Sequence, residues 1–325
     1  MPYIVARFLK LNSYWKAKPS QQRFFMLART SLRFILVTFT FLAAPRLTAA
    51  QPLINQLNIS DCQGCDLRGA NFRERKLVNV SFRNADLRGA DLSGSDLRGI
   101  DLMNADLRST NLSNTDLRGA NLANADLRSA ELRGANLQGA NLTRANLQGA
   151  NLLQIQLLQA TLVEANLSGA DLRDLYLEKT VLRGAILAAA NLERADLVGV
   201  DLGRCNLKGA NLMSANLQSA NLKNADLQGA NLSRTSLREA QLTGANLQGA
   251  NLENADLEEA GLENADLKGA NLTRANLTRA SFFGADLEGA RFNHALLNDA
   301  DLKNARLRGA DFCDAIMPDG KKRNC

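Results

Sequence analysis

Among 325 residues there is a single histidine, His294. A general base at neutral pH is usually an imidazole, and no recognisable triad motif surrounds this one, so hydrolytic chemistry of the common kind lacks its base. Zinc fails on similar ground. A structural site needs more ligands than Cys62 and Cys65, and His294 lies far along the chain from them. No G-x-x-x-x-G-K-[ST] phosphate loop is present either. These absences predict no catalytic residue, no metal and no cofactor.

Long apolar runs are also missing. The longest, Phe34 to Pro45, has twelve residues, well short of the ~20 that a membrane-spanning helix requires. Charge of one sign is missing from most of the chain as well. The formal net charge is +6, yet residues 1–64 hold eight basic side chains against one acidic, and residues 65–317 hold 28 basic against 31 acidic. The basic character therefore belongs to the front segment and to the Lys321-Lys322-Arg323 tail, and the body is near neutral.

The front segment has the layout of an export signal. Arg7, Lys10, Lys16, Lys18, Arg23, Arg29 and Arg33 precede the apolar run with no acid among them, and Thr48-Ala49-Ala50 offers small residues for cleavage before Gln51. Fifty residues is long for a signal, and a start at Met26 restores an ordinary length. The expectation is a helical signal over 1–50 that touches a membrane only transiently. A retained anchor that leaves the rest of the chain tethered is the alternative. Residues 51–64 then form an N-terminal cap, with a short helix over 51–60.

What the sequence has in abundance is a five-residue word. Leu or Phe fills every fifth position from Leu67 to Phe312, fifty slots without a break, and Met317 keeps the register. Ala stands two residues before the slot 37 times, and Asp or Asn one residue before it 35 times. Steps of five advance about 500° around an α-helix and alternate faces along a strand, so neither buries every leucine. A chain that is extended for about three residues and then turns points Ala and Leu inward together, and sends Asp or Asn outward. The two residues after each Leu make the corner, where Gly69, Gly89, Gly119, Gly139 and Gly149 suit a tight turn.

The word A-(D/N)-L-x-x, as in Ala105-Asp106-Leu107-Arg108-Ser109, closely resembles the pentapeptide-repeat family across residues 65–317. The resemblance implies an all-β fold, a right-handed quadrilateral β-helix or solenoid with twenty residues per coil. It comprises about twelve coils and stands roughly 60 Å tall at the usual strand spacing. All five Phe slots, 72, 82, 282, 292 and 312, lie at multiples of ten from one another, which fits an even number of sides. With that register, Arg68, Arg88, Arg108 and Arg128 stack beside Asp66, Asp86, Asp106 and Asp126, a solvated lattice in preference to an anion site.

The irregular stretch is 151–190, where Leu153, Leu158, Val163, Tyr176, Val181 and Ile186 occupy positions that should face outward. An apolar patch on a polar rod marks a partner surface, for an unidentified protein or a second copy. The competing reading is a local bulge that hides these side chains. Cys62 and Cys65 suit a local disulfide or a cap on the first coil, or remain buried thiols. Cys205 reads as a small core residue, and Cys313 and Cys325 as a further pair. Residues 318–325 read as a turn with a mobile basic end.

The functional expectation is an exported, non-enzymatic repeat rod acting as a scaffold or protein-binding surface. The resemblance implies a cyanobacterial setting and the thylakoid lumen or periplasm as destination. Some relatives mimic DNA and inhibit gyrase. That alternative demands a strongly acidic surface, which this body lacks, and no nucleic-acid partner is expected.

Overall fold

A computed structural model describes residues 61–325. The expected export signal, the Met26 start, the anchor and the 51–60 helix lie outside the described residues. From Asp61 onward the chain is an all-β solenoid. Every fifth residue, with two exceptions, forms a parallel bridge with the residue twenty further on, in a series running from Asp61↔Ser81 to Leu296↔Ile316. Four bridging positions per coil give four sides, here called A (61–64, 81–84 and so on), B (66–69), C (71–74) and D (76–79). Among the described residues the register already holds at Asp61, four residues ahead of the boundary read from the leucines, with Cys62 in a leucine slot.

The ladder explains why the word has five letters. Leu107 N–H donates to the carbonyl of Asp126 at 2.7 Å, and Asp126 N–H donates back to the carbonyl of Ala105 at 2.9 Å. The corner closes when the N–H of the residue after the turn donates to the leucine carbonyl, as from Ala120 to Leu117 at 3.0 Å. The second corner residue has positive φ at every turn from Gly64 to Asp314, the signature of a type II turn. Only twenty of these 51 corners hold glycine. A left-handed conformation at a residue with a Cβ is strained, so core and ladder, more than glycine, impose the corner.

Inside, the leucines form a dry column. Leu87 through Leu147 are essentially inaccessible, and so are Leu187 through Leu287. Phenylalanines sit toward the two ends. Phe72 and Phe82 meet across the core from opposite sides at 5.7 Å, and Phe292 stacks on Phe312 at 4.7 Å. Hydroxyls that replace the inward alanine are satisfied by the neighbouring coil, except that Thr115 donates within its own coil to the Leu112 carbonyl at 2.6 Å. Ser95 donates to the Phe72 carbonyl at 2.6 Å, and Thr110, Thr180 and Thr235 donate to Leu87, Leu157 and Leu212 at 2.8 Å each.

The ladder lacks just two bridges, 151↔171 on side C and 156↔176 on side D. The N–H groups of Leu152, Leu157, Asp171 and Tyr176 have no backbone acceptor there, while sides A and B of the same coil stay paired through Thr161↔Val181 and Asn166↔Ile186. The inward slots supply the cause. Ile155 and Leu175 stand one coil apart in a column where alanine is usual. Two four-carbon side chains stacked at the ~4.8 Å ladder spacing overpack that corner. Val80 over Ile100 and Thr180 over Val200 carry fewer carbons and leave the ladder intact. Ile155 stays buried, and Leu175 is pushed out to half-burial.

The tail differs from its expectation as a mobile basic end. Ile316 bridges Lys322 in antiparallel fashion, Arg323 N–H donates to the Ala315 carbonyl at 2.8 Å, and a disulfide joins Cys313 to Cys325. The Arg323 guanidinium lies 5.5 Å from the centre of the Phe312 ring, and Lys322 reaches Asp314 at 2.7 Å. The final coil ends in an edge with open backbone groups and in the Phe312 ring, which is buried, and the basic tail lies against both.

Candidate binding surface

The outward slot follows one local rule. The carboxylate or amide oxygen of Asp or Asn accepts the N–H two residues on, as at Asn111 with Ser113 (3.1 Å), which fixes the corner from outside. Where Arg stands at that second residue, it adds a forked bond. Arg88 donates through Nε to Asp86 Oδ1 at 2.8 Å and through Nη2 to Oδ2 at 2.6 Å, and its Nε lies 3.4 Å from Asp106 on the next coil. The same fork recurs at Arg68, Arg98, Arg108, Arg118, Arg128 and Arg173. The guanidinium beside each of Asp66, Asp86, Asp96, Asp106, Asp116, Asp126 and Asp171 holds that carboxyl below the usual carboxylate range. These arginines are engaged by carboxylates, so their columns offer no free cation array to a polyanion.

After the irregular coil, amides take over. On side C, Asn211 donates through Nδ2 to Asn191 Oδ1 at 3.0 Å, Asn231 to Asn211 at 3.1 Å, and Asn271 to Asn251 at 3.0 Å. This ladder carries no charge.

The six apolar candidates are spread around the rod. Leu153 is on side C, Leu158 and Tyr176 on side D, Val163 and Val181 on side A, and Ile186 on side B, opposite Tyr176. Leu153, Tyr176, Val181 and Ile186 are exposed, and Leu158 and Val163 are half-buried. Tyr176 stands out at 76% exposure. Sequence reasoning missed Val198, also exposed, which lies on side D two coils below Leu158. Its signal was the same, an apolar residue in a corner position that is elsewhere mostly polar.

A groove of about 400 Å³ opens at the corner between sides C and D, lined by Asp174, Leu175, Tyr176, Arg194, Asp196 and Asn216 among others. Arg194 is fixed on its wall, with Nε 2.7 Å and Nη2 2.9 Å from the two oxygens of Asp174, and a further ion pair to Glu193. Asp196 accepts the Val198 N–H at 3.3 Å and has no side-chain partner.

The remaining reactive groups are accounted for by structure. His294 sits at a corner with φ of 60°, half exposed, 3.8 Å from Asp314, whose other oxygen is taken by Lys322. Cys62 and Cys65 form a disulfide with Cα atoms 5.5 Å apart. Cys313, Asp314 and Cys325 converge, but the two sulfurs are bonded to each other and present no thiolate to a cation. The Cys205 thiol donates to the Leu182 carbonyl at 2.9 Å, and burial pushes its pKa up to about 12, so it is inert.

Comparison with curated proteins gave no match. Among solved structures, HetL, a pentapeptide repeat protein involved in heterocyst differentiation regulation from the cyanobacterium Nostoc, is 34% identical over 70% of this chain and 91% of its own, with a TM-score of 0.29. QnrB1, a plasmid-mediated fluoroquinolone resistance protein, is 20% identical over 61% of this chain and 91% of its own, at 0.44. A pentapeptide repeat protein from the Arabidopsis thaliana thylakoid lumen is 32% identical over 34% and 70%, at 0.27. The family model described as pentapeptide repeats (8 copies) matches residues 65–274 in successive segments and then 280–317. With the leucine register, the four-sided ladder and this match on one stretch of chain, the protein belongs to the pentapeptide-repeat family.

Proposed function

We propose that this protein is an exported, non-enzymatic rod that presents a protein-binding surface. The observation that carries the reading is Tyr176, an aromatic ring 76% exposed in a slot that elsewhere holds mostly Asp or Asn. A large exposed ring costs solvation and gains energy only when a partner covers it. Export is supported by the basic front segment with its apolar run and small residues before Gln51. Two disulfides, Cys62–Cys65 and Cys313–Cys325, suit an oxidising compartment such as a thylakoid lumen or periplasm.

The test of binding compares the native protein with a Tyr176→Asp/Val181→Asp variant of unchanged circular dichroism, each used to retain proteins from its own compartment. Retention of a partner by the native protein and its loss in the variant is the expected result. Equal retention by both counts against the surface. For export, the amino terminus of the native protein is expected near Gln51, and one at Pro2 removes that half of the proposal.

A further inference from the structure

Asp196 breaks the pattern that governs its neighbours. The outward-slot aspartates of regular coils share their carboxylates with an Arg or Lys, an amide, or a hydroxyl, as Asp106 does with Arg108, Asp201 with Asn221 and Asp91 with Ser93. Asp196 has Val198 where the arginine would stand, and Glu178 at the matching position one coil above. Among the described aspartates of the outward slot, only Asp301 on the terminal coil shares this lack of a side-chain partner. Asp196 bridges directly to Tyr176, so the two side chains leave the surface ~4.8 Å apart. Both line the groove at the C–D corner.

We propose that Tyr176 and Asp196 form a receptor for an arginine side chain, carried on an extended segment of the partner protein. This deepens the binding-surface reading above and rests on it. The chemistry is complementary in three ways. A guanidinium stacks on a tyrosine face, and this ring is free on its exposed side. A carboxylate accepts the guanidinium fork, and Asp196 is a carboxylate whose fork position is empty. The only cation on the groove wall, Arg194, is already neutralised by Asp174 and Glu193, which leaves the excess charge of the site negative. Half-buried Leu175 and Leu158, with exposed Val198, supply apolar ground for the residues on either side of that arginine. The overpacked Ile155–Leu175 corner is what brings Leu175 toward the surface, and Leu158 and Val198 reach it through their corner positions.

The probe is an acetylated, amidated hexapeptide of alternating leucine and arginine, titrated into the full chain by fluorescence anisotropy, with a citrulline version that keeps shape and loses charge. The arginine peptide is expected to bind in the submillimolar range. Asp196→Asn should weaken it roughly tenfold or more, in line with the value of a charged hydrogen bond, and Tyr176→Leu by several-fold. Asp301→Asn should leave it unchanged. The citrulline peptide should bind native protein no better than the arginine peptide binds Asp196→Asn. Equal binding to native protein and Asp196→Asn, or no binding to either, overturns the receptor. So does self-association of the native chain that Asp196→Asn abolishes while the peptide fails to bind, since the occupant is then a second copy. A partner retained by Asp196→Asn and lost by Tyr176→Asp would keep the binding surface and remove the arginine receptor.

Discussion

Residues 211–230 and 151–180 are spelled with the same five-residue word, and they fold differently because of one column. In 211–230 the inward small slots are Ala215, Ala220, Ala225 and Ala230. Every leucine there is inaccessible and the ladder bonds run at 2.7 Å for the leucine donors and 2.8–3.0 Å for the returning ones. In 151–180 the every-fifth leucines, Leu152 to Leu177, are nearly as buried, yet Ile155 and Leu175 fill the small slot and two ladder bridges are gone. Leucine therefore decides that the chain coils, and the small residue two places earlier decides how closely coils approach. The flanks of the irregular coil differ again on the outside. Arginine–aspartate forks hold residues 66–128, and an uncharged asparagine ladder holds 191–271.

The sharpest way to break the comparison is to put charge where each region differs. Leu217→Asp places an unpaired carboxylate in the dry column and should cost at least about 4 kcal/mol, read as collapse of the thermal transition. Tyr176→Asp should move stability by no more than about 0.5 kcal/mol, since that side chain is already in water. Equal losses would mean that the inner column is not the core.

Truncation separates the two coils more finely. Leu217→Ala leaves a cavity between coils locked on all four sides and should cost about 3 kcal/mol, whereas Leu177→Ala should cost about 2 kcal/mol because an overpacked, partly unladdered coil can settle into the space. Paired denaturant titrations read the difference, and identical costs would remove it. A smaller effect follows from Ile155→Ala combined with Leu175→Ala. Relief of overpacking offsets lost burial, so stability should shift by less than about 1 kcal/mol. The amides of Leu152, Leu157 and Tyr176 should nevertheless exchange roughly tenfold more slowly as the ladder closes. Unchanged exchange would show that something other than the Ile155–Leu175 stack opens sides C and D.

That the chain coils around its leucines was legible in the five-residue period, and the spacing of Phe72, Phe82, Phe282, Phe292 and Phe312 fitted an even number of sides, whereas four sides and twenty residues per coil came from the resemblance to the pentapeptide-repeat family. The corner conformations were legible where glycine marked them and invisible at residues such as Arg144 or Ala189, whose positive φ is enforced by neighbouring coils. The candidate surface was half legible. Tyr176 and Val181 are exposed as their slots predict, but reading the six residues as one patch overlooked that the ten-residue step separating Phe72 from Phe82 also sets Ile186 on the far side from Tyr176. The open ladder was missed, because Ile155 and Leu175 look harmless until they are stacked twenty residues apart. The Cys313–Cys325 pair was legible as two cysteines at the far end, but the basic end was misread as mobile, because nothing in the sequence shows that Arg323 comes to lie over Phe312.

The weakest expected effect concerns the two flanks. The carboxyls of Asp66, Asp86, Asp106 and Asp126 are held below their ordinary value by their arginine forks. A depressed folded-state value means that the contribution is fully present above the unfolded aspartate pKa, ~3.9, and is lost as pH falls through the folded-state values. Asparagine does not titrate, so the 191–271 ladder keeps its bonds over the same range. Acidification below about pH 4 should therefore raise amide exchange along side B of residues 66–128 before it does so along side C of residues 191–271. Because the forks are largely exposed, salt screens them, and at 1 M salt the gap between the flanks should narrow already at neutral pH. If both flanks loosen together on acidification, the forks are ornament on a rod whose coils are spaced by the inner column and its backbone ladder alone.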